Sequence, residues 1–201
     1  MTNSQVVREL IAYCLQHISS LVRINKIYGR FKSQGQSVGK NSLYEFMGFL
    51  EEAYCLFAVP LYTLSAHQRV VNPKKLYCND QGLITAYTVK PEFEEASRLE
   101  NTVFCKLRRE TENIFYYKRK KGREVDFLVL MPNGQRRLFQ VCVSLSSKET
   151  LDREMMALRE AMKELGLNEG VIVTLSEKKM VRDQKRRIVC IPAWEWLLKS
   201  D

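Results

Sequence analysis

Three positions carry oxygen ligands where the surrounding residues are apolar. Asp126 lies in Gly122-Arg123-Glu124-Val125-Asp126-Phe127-Leu128-Val129-Leu130, a run with the length and composition of a strand. After a Pro-Asn-Gly turn comes Leu138-Phe139-Gln140-Val141-Cys142-Val143-Ser144, so Asp126 and Gln140 fall on neighbouring strands of a hairpin, with Cys142 two residues beyond. Strand alternation assigns Val125, Phe127 and Val129 to one face and Asp126, Leu128 and Leu130 to the other; Phe139, Val141 and Val143 likewise oppose Leu138, Gln140 and Cys142. Glu100 is the third position. In a helix expected over 91–111 it falls inside the stripe made by Ala96, Val103, Phe104 and Leu107. Burying an unpaired carboxylate costs on the order of several kcal/mol, so each needs a cation or a donor. Two facing carboxylates repel unless they share a proton or bind a metal, and hard oxygen ligands suit Mg or Mn. The alternative is pairing with basic side chains such as Arg98 or Arg123.

The elements that must position these groups follow from periodicity. Residues 4–18 and 24–33 read as helices, Gly35 punctuates the chain, and Ser37 can cap a third helix carrying Phe46, Met47, Leu50, Tyr54 and Phe57. Three helices with a Gly-containing turn before the third suggest a helix-turn-helix. Runs from Phe57 to Leu64 and Lys74 to Cys78 read as strands flanking a polar tip, 65–73, which completes the form of a winged helix. After the 91–111 helix, strands at 114–119, 123–130 and 137–144 precede a helix at 148–165 closed by Gly166. Strands at 171–175 and 187–191 and a short helix after Pro192 give the order α-β-β-β-α-β-β-α from residue 91. This predicts an α/β (α+β) protein with a boundary near 88/89 and modules at 1–88 and 89–201.

The chain has 201 residues, 45% of them hydrophobic, which suffices for a substantial core. Its six cysteines stand singly, without CxxC pairs or a secretory leader, and read as reduced core thiols of a cytoplasmic protein. No run approaches a membrane span. The net charge of +9 favours an anionic partner, of which nucleic acid is the commonest in the cytosol.

Several motifs together resemble the C-terminal region of prokaryotic and archaeal AAA-type ATPases, where a winged helix leads into a restriction-endonuclease-like (PD-(D/E)XK) domain of unknown function. They are Lys75-Leu76-Tyr77-Cys78-Asn79-Asp80-Gln81-Gly82-Leu83, Leu99-Glu100-Asn101, Gly122-Arg123-Glu124-Val125-Asp126-Phe127, Gln140-Val141-Cys142 and Ile191-Pro192-Ala193-Trp194, in the expected order across roughly residues 5 to 198. The resemblance implies an α-β-β-β-α-β core in which Glu100, Asp126 and the Gln140 position ligate a metal and the Cys142 position holds the catalytic lysine. This chain departs from that pattern. Gln140 offers a neutral amide oxygen and Cys142 no positive charge, a loss worth about 2.7–4 kcal/mol of transition-state stabilisation at comparable sites. The catalytic set therefore reads as vestigial, with no cofactor required and Mg or Mn the cation if one binds. A lysine from elsewhere, such as Lys118 or Lys148, could restore the charge. The resemblance also implies an AAA-type ATPase module or subunit as a partner, with this chain a separated C-terminal part or a stand-alone relative.

Gly35 to Ser42 imitates a phosphate-binding loop. It is one residue short between the glycines, lacks Ser or Thr after Lys40, and follows no apolar strand, so ATP hydrolysis is not expected. Lys118, Arg119, Lys120, Lys121 and Arg123 surround a hairpin tip, and Lys178, Lys179, Arg182, Lys185, Arg186 and Arg187 form a second basic cluster. With Lys40, Asn41 and Tyr44 on the third helix and Arg69 in the tip, the hairpin residues are the candidate contacts to DNA phosphates. Glu45, Glu51 and Glu52 argue against deep groove insertion. His17 and His67 fit no metal spacing. The expected function is binding of nucleic acid, or docking to an ATPase, by a decayed nuclease-like domain. A Mg- or Mn-dependent nuclease using Glu100, Asp126 and Gln140 is the second reading. A homodimerisation scaffold displaying Trp194 and Trp196 is the third.

Overall fold

The computed structural model describes residues 3–87, 91–118, 122–183 and 186–199. The boundary expected at 88/89 lies outside them. The chain is a mixed α/β protein with two sheets. Its first part runs α1 (Asn3–Leu15), β1 (Leu21–Val22), α2 (Ile24–Ser33), α3 (Lys40–Glu52), β2 (Leu56–Val59), α4 (Ala66–Val71), β3 (Lys74–Cys78) and α5 (Gln81–Tyr87). β3 is the middle strand of the order β1-β3-β2, antiparallel to both neighbours. Leu10, Cys14, Ile27, Phe31, Leu43, Met47 and Leu76 form the core between these helices and the sheet.

The second part runs α6 (Pro91–Glu110), β4 (Ile114–Lys118), β5 (Glu124–Leu130), β6 (Arg136–Cys142), α7 (Lys148–Leu165), β7 (Glu169–Thr174), β8 (Lys179–Asp183), β9 (Arg186–Pro192) and α8 (Ala193–Leu198). The six strands lie in the order β4-β5-β6-β7-β9-β8, parallel where β7 meets β6 and β9 and antiparallel elsewhere. α6 and α8 cover one face, around Phe104, Phe127, Phe139 and Trp196; α7 covers the other with Met155, Leu158 and Met162. The first sheet contributes Val59 and Tyr77 to the α6 face, so the two parts share a core.

Several expectations need correction. The cap of α3 is Gly39 rather than Ser37, without a side-chain bond. The polar tip at 65–73 is not an open loop: Ser65 accepts from the Gln68 amide and starts α4. The second basic cluster is not a loop throughout: Lys179 and Arg182 fall in a strand, β8, and Arg186 and Arg187 in β9. Trp194 is 62% exposed, but Trp196 is 6% exposed and meets the Phe139 ring edge-on, so only one of the two tryptophans is displayed. The faces of β5 also differ. Tyr117 pairs with Val125 and Phe115 with Leu128, so β5 carries one more residue than β4 over this stretch. This bulge turns Val125 to the α7 side with Leu128, while Phe127 and Val129 stay on the α6 side. Strict alternation fails at Asp126.

Candidate functional site

Alternation along β3 sends Leu76 and Cys78 into the first core and leaves Lys75 and Tyr77 facing α6. The strand is held in place by Asn101 of α6. Its Oδ1 accepts the Cys78 amide at 2.9 Å and its Nδ2 donates to the Cys78 carbonyl at 3.0 Å. Tyr77 is wholly buried and stacks on Phe104 with centroids 4.4 Å apart. Its hydroxyl donates to Glu100 Oε1 at 2.6 Å. α6 thus brings Glu100 against β3, and the packing of Leu99, Val103, Phe104 and Leu107 fixes that helix face.

Asp126 approaches from the second sheet. The paired register of β5 and β6 runs from Phe127–Phe139 to Leu130–Arg136. Beyond it, side chains replace the ladder: the Asp126 amide donates to Gln140 Oε1 at 3.2 Å, and the Val141 amide to Asp126 Oδ2 at 2.9 Å. Asp126 Oδ1 is left to face β3. There Lys75 Nζ lies 2.8 Å from Asp126 Oδ1, 3.2 Å from Glu100 Oε1 and 3.1 Å from Glu124 Oε1. The Lys75 side chain is only 5% exposed; its ammonium donates hydrogen bonds to Asp126 and Glu100 and forms a third ion pair with Glu124.

The electrostatics follow from this crowding. Burial and the neighbouring Asp126 push the Glu100 carboxyl up to about 7, against the opposing pull of Lys75 and Tyr77. Burial works against the Lys75 charge, but Asp126, Glu100 and Glu124 outweigh it and hold the ammonium well above its ordinary range. Burial followed by the Glu100 charge raises the Tyr77 phenol, so it stays a donor. On the far side of Asp126, Gln140 Nε2 donates to Glu154 Oε2 at 2.8 Å, and Arg153 grips Glu154 Oε1 at 3.0 and 2.6 Å. A continuous polar chain therefore runs from β3 to α7.

The fold brings Glu100, Asp126 and Gln140 into this one chain, but Gln140 does not face the ammonium. Both ends of its amide are committed, one to β5 and one to Glu154. The Cys142 thiol donates to the Ser144 carbonyl at 3.0 Å, and burial with the nearby Glu154 charge pushes it up to about 11. Among the described residues, no group of three or more His, Cys, Asp or Glu side chains is disposed to hold a metal ion. The resident cation is Lys75, so the carboxylates do not fit a divalent ion as they stand. Arg123 pairs with Glu160 at 3.1 Å and Lys118 with Glu124 at 3.8 Å, which leaves Lys75 as the counter-ion neither of them supplies.

Of the candidate DNA contacts, Lys40, Asn41 and Tyr44 are exposed at the start of α3, with the Lys40 ammonium 5.9 Å from the Tyr44 ring centre. Arg69 folds back, donating to the Thr63 carbonyl at 2.9 Å and lying over Phe115. Lys118 is exposed at the end of β4. Arg119, Lys120 and Lys121 lie outside the described residues. Sequence reasoning assigned no role to Lys75, Tyr77, Asn101, Glu124 or Glu154. The available signal was a lysine on the apolar strand Lys-Lys-Leu-Tyr-Cys, alternate to Tyr77.

The molecule is thus a mixed α/β protein built around a buried lysine-carboxylate cluster. Residues 97–196 match the family model of a domain of unknown function, DUF4143. The match begins inside α6, so it includes Glu100, Glu124, Asp126 and Gln140 but not Lys75 or Tyr77. No curated protein and no solved structure matches the chain.

Proposed function

We propose that this chain is a non-hydrolytic nucleic-acid-binding module: a winged-helix part joined to a restriction-endonuclease-like core whose carboxylates no longer serve hydrolysis. One observation carries the reading, the Lys75 ammonium set among Glu100, Glu124 and Asp126. A cluster neutralised in this way has no open position for a reacting group or an activated water. The order α6-β4-β5-β6-α7-β7 and the placing of Asp126 where β5 parts from β6 support the nuclease-like descent. The charge of +9 and the exposed Lys40-Asn41-Tyr44 start of α3, whose first turn holds no acidic residue, support phosphate contact. A second reading, docking to an AAA-type ATPase, draws on the resemblance and on Phe49 and Tyr54, each 61% exposed near the end of α3.

Fluorescence anisotropy with a labelled DNA duplex over a series of salt concentrations tests the proposal, beside a plasmid-nicking assay with Mn on the same samples. Binding that weakens linearly in log salt, without nicking, is the expected result. Nicking abolished by Asp126→Ala would replace this reading with a metal-dependent nuclease. Absence of DNA binding at low salt would leave the docking reading.

A further inference from the structure

We propose that the outer face of α2 is the surface that meets the sugar-phosphate backbone of duplex DNA, with Gly29 as its point of closest approach and Lys26 and Arg30 as its phosphate-pairing cations. The inference rests on the nucleic-acid reading above and assigns it residues outside α3 and the β4-β5 hairpin.

Charge singles α2 out. From Ile11 to Tyr44 the sequence holds no Asp or Glu. α2 lies within that stretch, with Ile27 and Phe31 turned into the core and Lys26, Gly29 and Arg30 exposed. Lys26 and Arg30 stand four residues apart, where like charges on a helix repel. Among the described residues no carboxylate pairs with either. Arg30 lies over the Tyr13 ring of α1, 5.2 Å from its centre, while Glu9, one turn before Tyr13, accepts from Gln36 instead. Two unneutralised cations so placed cost the free helix stability that a bound polyanion returns.

Gly29 supplies an independent observation. It lies inside the helix with a φ outside the left-handed region, and a Cβ built on it would meet no other part of the chain within 4 Å. Neither turn geometry nor internal packing therefore calls for glycine, although glycine inside a helix is less stable than alanine. What a missing side chain provides at an exposed position is close approach by an outside backbone. Gly29 is one turn from Lys26 and adjacent to Arg30, so a phosphodiester seated over it comes within reach of both long side chains. Gly48 in α3 is equally open, but Glu45 and Glu52 stand one turn before and after it and repel a phosphate.

The test is fluorescence anisotropy with a labelled DNA duplex at several salt concentrations, paired with thermal unfolding of each full-length variant. Gly29→Ala should raise Tm by up to about 2–4 °C and yet weaken DNA binding several-fold, and Gly29→Leu should weaken it further. A Tm at or above that of the wild type shows that the affinity was not lost with the fold. Lys26→Gln/Arg30→Gln should reduce the slope of log affinity against log salt by about 2, one for each lost phosphate contact. Lys163→Gln, which removes an exposed charge from α7, should leave the slope unchanged. Wild-type affinity in Gly29→Leu, or a wild-type slope in the double variant, would overturn the inference while the nucleic-acid reading stands. Failure of the wild type to bind the duplex at low salt would remove both.

Discussion

Lys75 Nζ stands 2.8 Å from Asp126 Oδ1, and the contact ties the middle strand of the first sheet to the bulged strand of the second across 51 residues of chain. The two sheets thus meet through a charge as well as through the shared apolar core of Val59, Tyr77 and Phe104.

Lys75→Ala removes the cation that Glu100, Glu124 and Asp126 share among the described residues. Breaking a buried pair by deleting one partner costs about 3–5 kcal/mol, because the other charge stays buried. Urea unfolding in chelator-treated buffer should show a loss in that range; a loss below about 1 kcal/mol would mean that water reaches the carboxylates freely.

Asn101→Ala removes the two hydrogen bonds that this side chain makes to the Cys78 backbone while leaving α6 its helical residues. The Cys78 carbonyl keeps the Cys105 thiol at 3.4 Å but the amide is left unsatisfied, so a loss of about 1–3 kcal/mol is expected. Amide exchange at Cys78 should accelerate more than exchange at Tyr77, whose partner is β2. Equal acceleration would argue for general loosening instead.

Glu100 titrates near 4.5 ordinarily and near 7 in the fold. A carboxyl raised by folding contributes stability that is fully present below the lower value and is lost as pH climbs to the upper one, since the folded state then binds the extra proton. Between those values this group should cost the wild type roughly 3 kcal/mol, and above about pH 7 the effect should be flat. Glu100→Gln keeps an acceptor for Lys75 and Tyr77 but cannot ionise. The difference in unfolding free energy between variant and wild type should therefore grow from pH 5 to 7 in favour of the variant; a pH-independent difference would contradict the assignment.

Cys142 should be a slow thiol. With its titration pushed up to about 11, its alkylation rate should rise about tenfold per pH unit through pH 8–10, because the thiolate is the nucleophile. Peptide mapping after iodoacetamide treatment reads this directly. A rate that levels off near pH 8 would show an activated cysteine.

Lys40→Ala should weaken DNA binding several-fold whatever the sequence and reduce the slope of log affinity against log salt by about 1, the signature of one lost phosphate contact. Arg69→Ala should change neither by much, since that guanidinium is turned onto Thr63 and Phe115. The reverse ranking would place the DNA on the α4 side of the first sheet.

The elements were legible wherever burial is a local pattern. The stripe of Leu151, Met155, Leu158, Met162 and Leu165 with Gly166 behind it marks α7 and its left-handed end, with Gly166 at φ 67. β8 was not legible, because a half-solvated edge strand reading Lys-Met-Val-Arg-Asp looks like a basic loop until β9 pairs with it. Among site residues, Glu100 and Asp126 stood out because a carboxylate in an apolar stripe needs an explanation, and that argument uses neighbours in sequence alone.

By itself the sequence determined that two carboxylates would be buried and that something would have to compensate them. Only the tertiary structure decided which side chain supplies the charge: neither Arg98 nor Arg123, but a lysine from a strand whose alternation merely pairs it with Tyr77. The reason is that compensation is a contact between distant segments. Strand period specifies which side chains share a face, whereas the docking of β3 against α6, and the bulge that re-aims Asp126, depend on how three separately formed elements pack.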